Sequence, residues 1–435
     1  MKLEMATFPV KNVRFAGRTF YNQTNLDIDK NEITTLVLKD KNIVAADLEV
    51  VFPGEEARLA FVRDVVEPRV KVSEPGCIFP GILGAVETVG HGRTHRLAGI
   101  AVVSSVQYNS SITTGTVADS RALIDMWGPA AEVCPYSSLI NVVLIIKLAD
   151  GLSELEAHVS IQQAHFRVAR RLAESTVQLE TEDLETFELG DVDPSLPRVV
   201  YNICFHVDPW SPLSRVLLYG FPVREGLPLL IHPNEFLDGA VTVDARQGGV
   251  SVWQTWMWMN QPMILRLLRE HGKRLNFLGV ILQRTSFYTE IDKEATAAFA
   301  SQVAKLLGAE GAIITGIPFI GNTFFGVMLT LKAYEKKGIK TVLLTPEASG
   351  GGAGGAPLVF CTPEATAIVS TGDLQRSIDL PKPNKVIGCD RGQLMSETPG
   401  EIPLDPWDEI KSKGYSAVEG AVDTWGGMNF TTREY

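Results

Sequence analysis

A chain of 435 residues is too long for one hydrophobic core, so two or three domains are expected. Apolar residues at 45% and charged residues at 21% are ordinary for a globular protein. With 51 acidic against 40 basic side chains, a net charge of -11, the chain is a poor match for nucleic acid or an anionic membrane surface.

From the N-terminus, Met1-Lys-Leu-Glu-Met-Ala6 lacks a signal-peptide apolar region, and no later run reaches the roughly 18 apolar residues of a membrane helix. Up to about residue 106 short apolar runs are broken by Gly, Pro, Asn and Asp, with strands expected at 33–38, 48–52 and 69–72. A run over 139–148 suits a central strand. Residues 154–174 read as a helix that Ser153 can cap. The acidic, proline-bearing stretch 181–197 reads as a linker, with strands again at 198–204 and 215–220. Cys77, Cys134, Cys204, Cys361 and Cys389 never form Cys-x-x-Cys, which fits reduced thiols in a cytoplasmic protein better than disulfides or zinc.

Between 236 and 280 the chain changes character. Trp253, Trp256 and Trp258 interleave with Met257 and Met259 after a turn at Gly248-Gly249. They suit a core or interface patch, or a pocket for a methylated cation through cation–π contacts. Pro262 opens a helix over 263–271 with Met263, Ile264, Leu267 and Leu268 on one stripe, and Gly272 ends it. Beyond it, strands at 276–282, 311–315, 340–345 and 367–370 alternate with helices at 293–307 and 322–337. The expected fold is α/β: a β-rich N-terminal domain over 1–110, a mixed α/β region over 111–245 and a doubly wound parallel α/β domain over 246–435.

Chemistry-bearing residues are sparse. Gly90-His-Gly-Arg-Thr-His95 offers a guanidinium, Arg93, that can clamp a carboxylate, beside His91 and Thr94. A tight turn with surface histidines is the alternative, and the glycines disfavour the helix that a His-x-x-x-His metal pair needs. His158 and His165, seven apart on a helix, are about 10 Å apart along its axis, too far to share an ion. His206 and Asp208 flank a strand end, where a pairing between them would be nonspecific. The glycine-rich run from Glu347 to Pro357 has no Walker or dinucleotide fingerprint and reads as a flexible loop.

Several stretches, in this order, resemble the proprotein subunit of component B of glycine/sarcosine/betaine reductase, a family related to D-proline reductase. They are Glu67-Pro-Arg-Val-Lys-Val72 with Ile78-Phe-Pro-Gly81, Gly90-His-Gly-Arg-Thr94, and Ile124-Asp-Met-Trp-Gly-Pro129 with Pro135 and Asn141. Leu237-Asp-Gly-Ala240, Asn260-Gln-Pro262 and Arg269-Glu-His-Gly-Lys-Arg-Leu-Asn-Phe-Leu-Gly-Val280 complete the set, and the last 45 residues look individual. The resemblance implies reductive cleavage of a C–N bond in an amino acid or its N-methylated form, beside a thiol- or selenol-bearing partner subunit. It also implies self-cleavage at an Asn-Cys bond to a pyruvoyl group, which forms an imine with a primary amine. Here the corresponding stretch reads Val241-Thr-Val-Asp-Ala-Arg-Gln247, and no Cys occurs between Cys204 and Cys361. An unprocessed, pyruvoyl-free relative is therefore expected, with neither cofactor nor metal. Asp244 and Arg246 are its candidate catalytic residues, and Gly90, His91, Arg93, Thr94 and Asp125 line the substrate site. A non-catalytic scaffold subunit is the second reading, and a stand-alone nucleotide-binding protein the third.

Overall fold

The computed structural model describes residues 1–73, 77–106, 123–207, 216–224, 226–243, 253–286, 289–316, 321–347, 358, 360–373, 377–395, 404–412, 418–421 and 423–427.

The chain begins with strand β1 (Lys2–Pro9). The β-branched run expected as a strand over 33–38 is instead part of helix α1 (Lys30–Val37). The Asp29 carboxylate accepts from the N–H groups of Asn31 at 2.9 Å and Glu32 at 3.1 Å, and Ile33 and Val37, one turn apart, share the buried face. The cap and the four-residue spacing outweigh β propensity. Next come β2 (Ile43–Val51), β3 (Val62–Val66), β4 (Arg69–Ser73), β5 (Gly92–Ala98), β6 (Ile100–Val106) and β7 (Ile140–Leu148). Helix α2 (Glu154–Ala173) follows, opened by the expected Ser153 in a reciprocal capping box with Glu156.

The acidic stretch expected as a linker contains β8 (Leu184–Glu188), which pairs antiparallel with β1. Phe187 is buried and Glu185 on the same face is partly covered, while Leu184, Thr186 and Glu188 are exposed, so the alternation defines a half-buried strand despite the charge. These strands form two four-stranded sheets, ordered β8-β1-β5-β4 and β2-β7-β6-β3.

Further along come β9 (Arg198–Val207), β10 (Leu229–Ile231), α3 (Pro233–Leu237), β11 (Val241–Val243), α4 (Thr255–Met259) and α5 (Pro262–Glu270). Then come β12 (Asn276–Ser286), α6 (Glu290–Leu306), β13 (Gly311–Thr315), α7 (Gly321–Lys336), β14 (Lys340–Glu347) and β15 (Ile368–Asp373). Six strands make one sheet, ordered β10-β12-β9-β13-β14-β15, parallel except for β10 at its edge. Met263, Ile264, Leu267 and Leu268 of α5 cluster with Phe277, Val280 and Leu282 on one side. Ala300 and Ala304 of α6 and Val327 and Leu331 of α7 cluster with Val200, Cys204 and Ile281 on the other. The chain is a mixed α/β protein, and this sheet is wound on both faces.

One core cluster joins the halves: Leu59, Phe61 and Val62 pack with Tyr201, Ile203 and Leu282. The tryptophans belong to it. Trp253 and Trp258 are 5.2 Å apart between ring centroids, and Trp425 sits 4.5 Å from the first and 4.9 Å from the second. Rings touching at that spacing leave no gap for a methylated cation, which needs its own room within about 6 Å of each ring. They brace the core.

Candidate functional site

Helix α3 holds the first polar centre. Pro233 opens it, His232 accepts from the Asn234 N–H at 3.2 Å, and Glu235 accepts from the His232 N–H at 2.9 Å. It must stop after Leu237, because Gly239 has φ 75° and a Cβ there would meet Phe79 Cδ1 at 2.5 Å. Asp238 is thereby fixed at the helix end, fully buried.

Its carboxylate is satisfied from the other half of the chain. Lys71 Nζ forms a close ion pair with Oδ2, the Gly90 N–H donates to Oδ2 at 2.8 Å, and Thr94 Oγ1 donates to Oδ1 at 2.6 Å. Lys71 also donates to the His91 carbonyl at 2.6 Å. A buried charge needs this combination of counter-ion and donors. Alongside, Arg69 donates to Glu67 at 2.7 Å, to the Leu237 carbonyl at 2.5 Å and to Asn260 Oδ1 at 2.7 Å. Four stretches quoted above for their family resemblance thus converge on one centre: 67–72, 90–94, 237–240 and 260–262.

Of the residues expected to line a substrate site, Gly90, His91 and Thr94 meet at Asp238. Arg93 does not: successive residues of a strand point to opposite faces, and while Thr94 turns in, Arg93 turns out. Its guanidinium pairs with Glu4 at 2.9 Å and Glu180 at 3.4 Å, about a third exposed. Asp125 lies apart, fully buried, accepting from Arg58 Nε at 2.7 Å and Nη2 at 2.9 Å. Burial pushes its carboxyl up, and Arg58 opposes that. The remaining Arg58 donors reach the carbonyls of Pro381 at 2.9 Å, Pro406 at 3.0 Å and Asp408 at 2.8 Å. Asp244, Arg246 and Asp208 lie outside the described residues, as does the glycine-rich run beyond Glu347.

A second centre, missed in the sequence, sits where β11 ends. The Val243 N–H donates to Thr255 Oγ1 at 3.2 Å. Thr255 in turn donates to Asp64 from Oγ1 at 2.7 Å and from its N–H at 2.8 Å, and the Val65 N–H adds a donor at 2.8 Å. Gln162 donates to the Val243 carbonyl at 3.3 Å. Positions 243 and 255 are thus tied together. Asp64 is buried with no cationic partner among the described residues, and desolvation raises its carboxyl to about 7 despite the donors. His165 Nδ1 lies 3.7 Å from Asp64 Oδ2, but burial lowers its imidazole to about 4 while Nε2 engages the Val102 carbonyl at 2.9 Å. The contact is between a neutral ring and a carboxyl, not an ion pair. Asp64 carried no local sequence signal, since its partners are 101 and 191 residues away (165 − 64 and 255 − 64).

Nothing among the described residues gathers three metal-ligating side chains, and no described helix is long and apolar enough to cross a membrane. The cysteines are free. Burial pushes the Cys134 thiol up to about 11 and those of Cys204 and Cys389 up to about 12, so none of these three is a ready thiolate.

A family model described as glycine/sarcosine/betaine reductase component B subunits matches residues 1–403. The chain is 34% identical over 395 residues to the glycine reductase complex component B subunits alpha and beta of Acetoanaerobium sticklandii, covering 89% of each. It is 33% identical to the betaine reductase complex component B subunit alpha of Peptoclostridium acidaminophilum, covering 89% of this chain and 88% of that one. The sarcosine reductase complex component B subunit alpha of the same organism is 31% identical, with 89% of each covered. No solved structure matches the chain.

Proposed function

Because the chain belongs to the family of glycine/sarcosine/betaine reductase component B subunits, we propose that it acts in such a complex without a pyruvoyl group, helping to cleave the C–N bond of a small amino-acid derivative. What supports this is the stretch in which the resembled family's Asn-Cys pair is expected: it reads Val241-Thr-Val-Asp-Ala245-Arg-Gln247, and no Cys occurs between Cys204 and Cys361. The Ala245 side chain has no heteroatom for the acyl shift. The nearest described hydroxyl, Thr242, is fully buried, follows Val241 rather than Asn and lies 3.4 Å from Gln162 Nε2. The residues present do not fit formation of the group.

The names of the relatives accord with this reading. The glycine reductase relative is named for two subunits, alpha and beta, and the betaine and sarcosine relatives for alpha alone. A quaternary ammonium needs no imine: on attack at the adjacent carbon the C–N bond breaks and a neutral tertiary amine departs with the electron pair. The attacking thiolate or selenolate is assigned to a partner subunit, consistent with the raised thiols of Cys134, Cys204 and Cys389. Arg93 is assigned to the substrate carboxylate, exchanging its exposed Glu180 contact for it. Asp244 and Arg246, directly after β11, are assigned to the polar lining.

One observation favours a scaffold instead. Asp238, Lys71, Thr94, Asp125 and Arg58 are all engaged within the chain. The test is reconstitution with a thiol- or selenol-bearing component B subunit, assaying amine release from betaine, sarcosine and glycine. Loss of activity in Arg93→Ala or Asp244→Ala with the complex intact supports a substrate site here. Full activity in both assigns this chain to the scaffold, and release from glycine alone contradicts the pyruvoyl-free reading.

A further inference from the structure

We propose that the C-terminal sheet carries a site for a hard divalent cation, of the magnesium or calcium kind, between the carboxyl ends of β14 and β15. It rests on side-chain placement and goes beyond the reductase reading without depending on it.

Glu347, the last residue of β14, lies in register opposite Asp373, the last of β15. Carboxylates directly opposite each other on neighbouring strands repel, so a sheet that keeps them there needs positive charge close by. Asp373 has a partner within the chain. Glu347 does not: it is 7% exposed, and among the described residues no hydrogen-bond donor and no cationic side chain reaches its carboxylate. A carboxylate buried that far is expected to be paired or to hold a metal.

A second buried group stands idle beside it. Thr371, two residues before Asp373, is 4% exposed, and its buried Oγ1 has no hydrogen-bond partner. The neighbouring hydroxyls are engaged: Thr345 Oγ1 donates to the Gly316 carbonyl at 3.0 Å, and Ser370 Oγ accepts from the Gly372 N–H at 3.2 Å. Between the pairs Thr345–Ser370 and Glu347–Asp373, β14 advances two residues and β15 three. Gly372, at φ 113°, lies in that span, and a Cβ there would meet nothing within 4 Å, so the strand end has room beside Thr371. Strand spacing and rise put the α-carbons of Thr371 and Glu347 about 6 Å apart. A hydroxyl and a carboxylate that close satisfy each other when they touch. These two do not touch, and a cation takes lone pairs from both oxygens at once. No third carboxylate, imidazole or thiol joins the pair among the described residues, which rules against a zinc set. Magnesium and calcium are content with one or two carboxylates, a hydroxyl or carbonyl, and waters in the other positions.

The experiment is isothermal titration of the full chain, stripped with EDTA, with magnesium chloride, calcium chloride and ammonium chloride in separate runs. Saturable binding of at least one divalent ion is expected, with a melting temperature that rises with its concentration. Glu347→Gln, which keeps the size and removes the charge, should weaken binding about tenfold and flatten that rise. Thr371→Val, which keeps the shape and removes the oxygen, should weaken it about threefold, and it decides the matter if Glu347→Gln does not fold. Glu290→Gln, an exposed change in the first turn of α6, is the control and should bind normally. The proposal is overturned if the wild-type chain binds neither divalent ion, if it binds ammonium alone, or if binding survives unchanged in both Thr371→Val and any folded Glu347→Gln.

Discussion

Asp64→Asn tests the electrostatics at the end of β11 most sharply. In the folded chain the Asp64 carboxyl titrates near 7, against about 4 in an unfolded chain. The sign follows from the raised value: the folded state favours the protonated form. Its contribution is present in full below about pH 4 and is lost as pH rises through about 7. Between pH 5 and 7.5 that loss is about 2.5 kcal/mol. His165 works the other way. Its imidazole, lowered to about 4, adds stability as pH rises from about 4 to its unfolded value near 6.5. The two nearly cancel in the wild type. With Asn at 64, the His165 rise stands alone, so the wild-type advantage over the variant should shrink by about 2.5 kcal/mol from pH 5 to 7.5. Denaturant unfolding at a series of pH values, followed by the fluorescence of the seven tryptophans, measures it. A wild-type-to-variant gap that stays constant across that range would refute the argument, since Asp64 would then titrate as an ordinary exposed carboxyl.

Other expectations follow from the same structure. Purified protein should give one species near 47.5 kDa; two fragments split around residue 245 would show processing. Asp125→Asn strips Arg58 of its buried counter-charge and should cost about 3–5 kcal/mol, with limited proteolysis cutting earlier around 381–408; an unchanged digestion pattern would speak against that clamp. Trp258→Ala should cost about 3–5 kcal/mol of stability, with substrate preference unchanged in the complex that survives. Arg93→Ala should move stability by less than about 1 kcal/mol, as for exposed pairs, while raising KM for a carboxylate substrate; a large fall in melting temperature would make Arg93 structural.

The long apolar and amphipathic segments were legible. The strands β7, β9, β12, β13 and β14 and the helices α2, α5, α6 and α7 fall where periodicity placed them, because each buries a face that its own pattern defines. Several elements escaped, β1, β3, β5 and β6 among them, and two segments show why. The segment 33–38 was judged on β-branched content while Asp29, the cap that decides it, stood four residues upstream. Strand β8 hid in an acidic stretch with one buried apolar residue, Phe187, to mark its inner face. The family motifs were also legible, but not their meeting point: Asp238 contacts Gly90 and Thr94 at separations of 148 and 144 residues, and no local rule pairs residues so far apart. Asp64 and His165 were invisible for the same reason.

Arg58 has a consequence for how this protein is made. Its guanidinium is buried in the core shared by both halves, yet the last carbonyl it donates to, Asp408, follows it by 350 residues. At about 5–20 residues per second of synthesis, the ribosome delivers that acceptor about 20–70 s after Arg58 emerges. Trp425, which completes the indole cluster, arrives later still. The growing chain must therefore keep a central cation hydrated until its C-terminal segment returns. A ribosome stalled short of residue 408 would leave a product that cannot close its core, ready prey for chaperones and proteases.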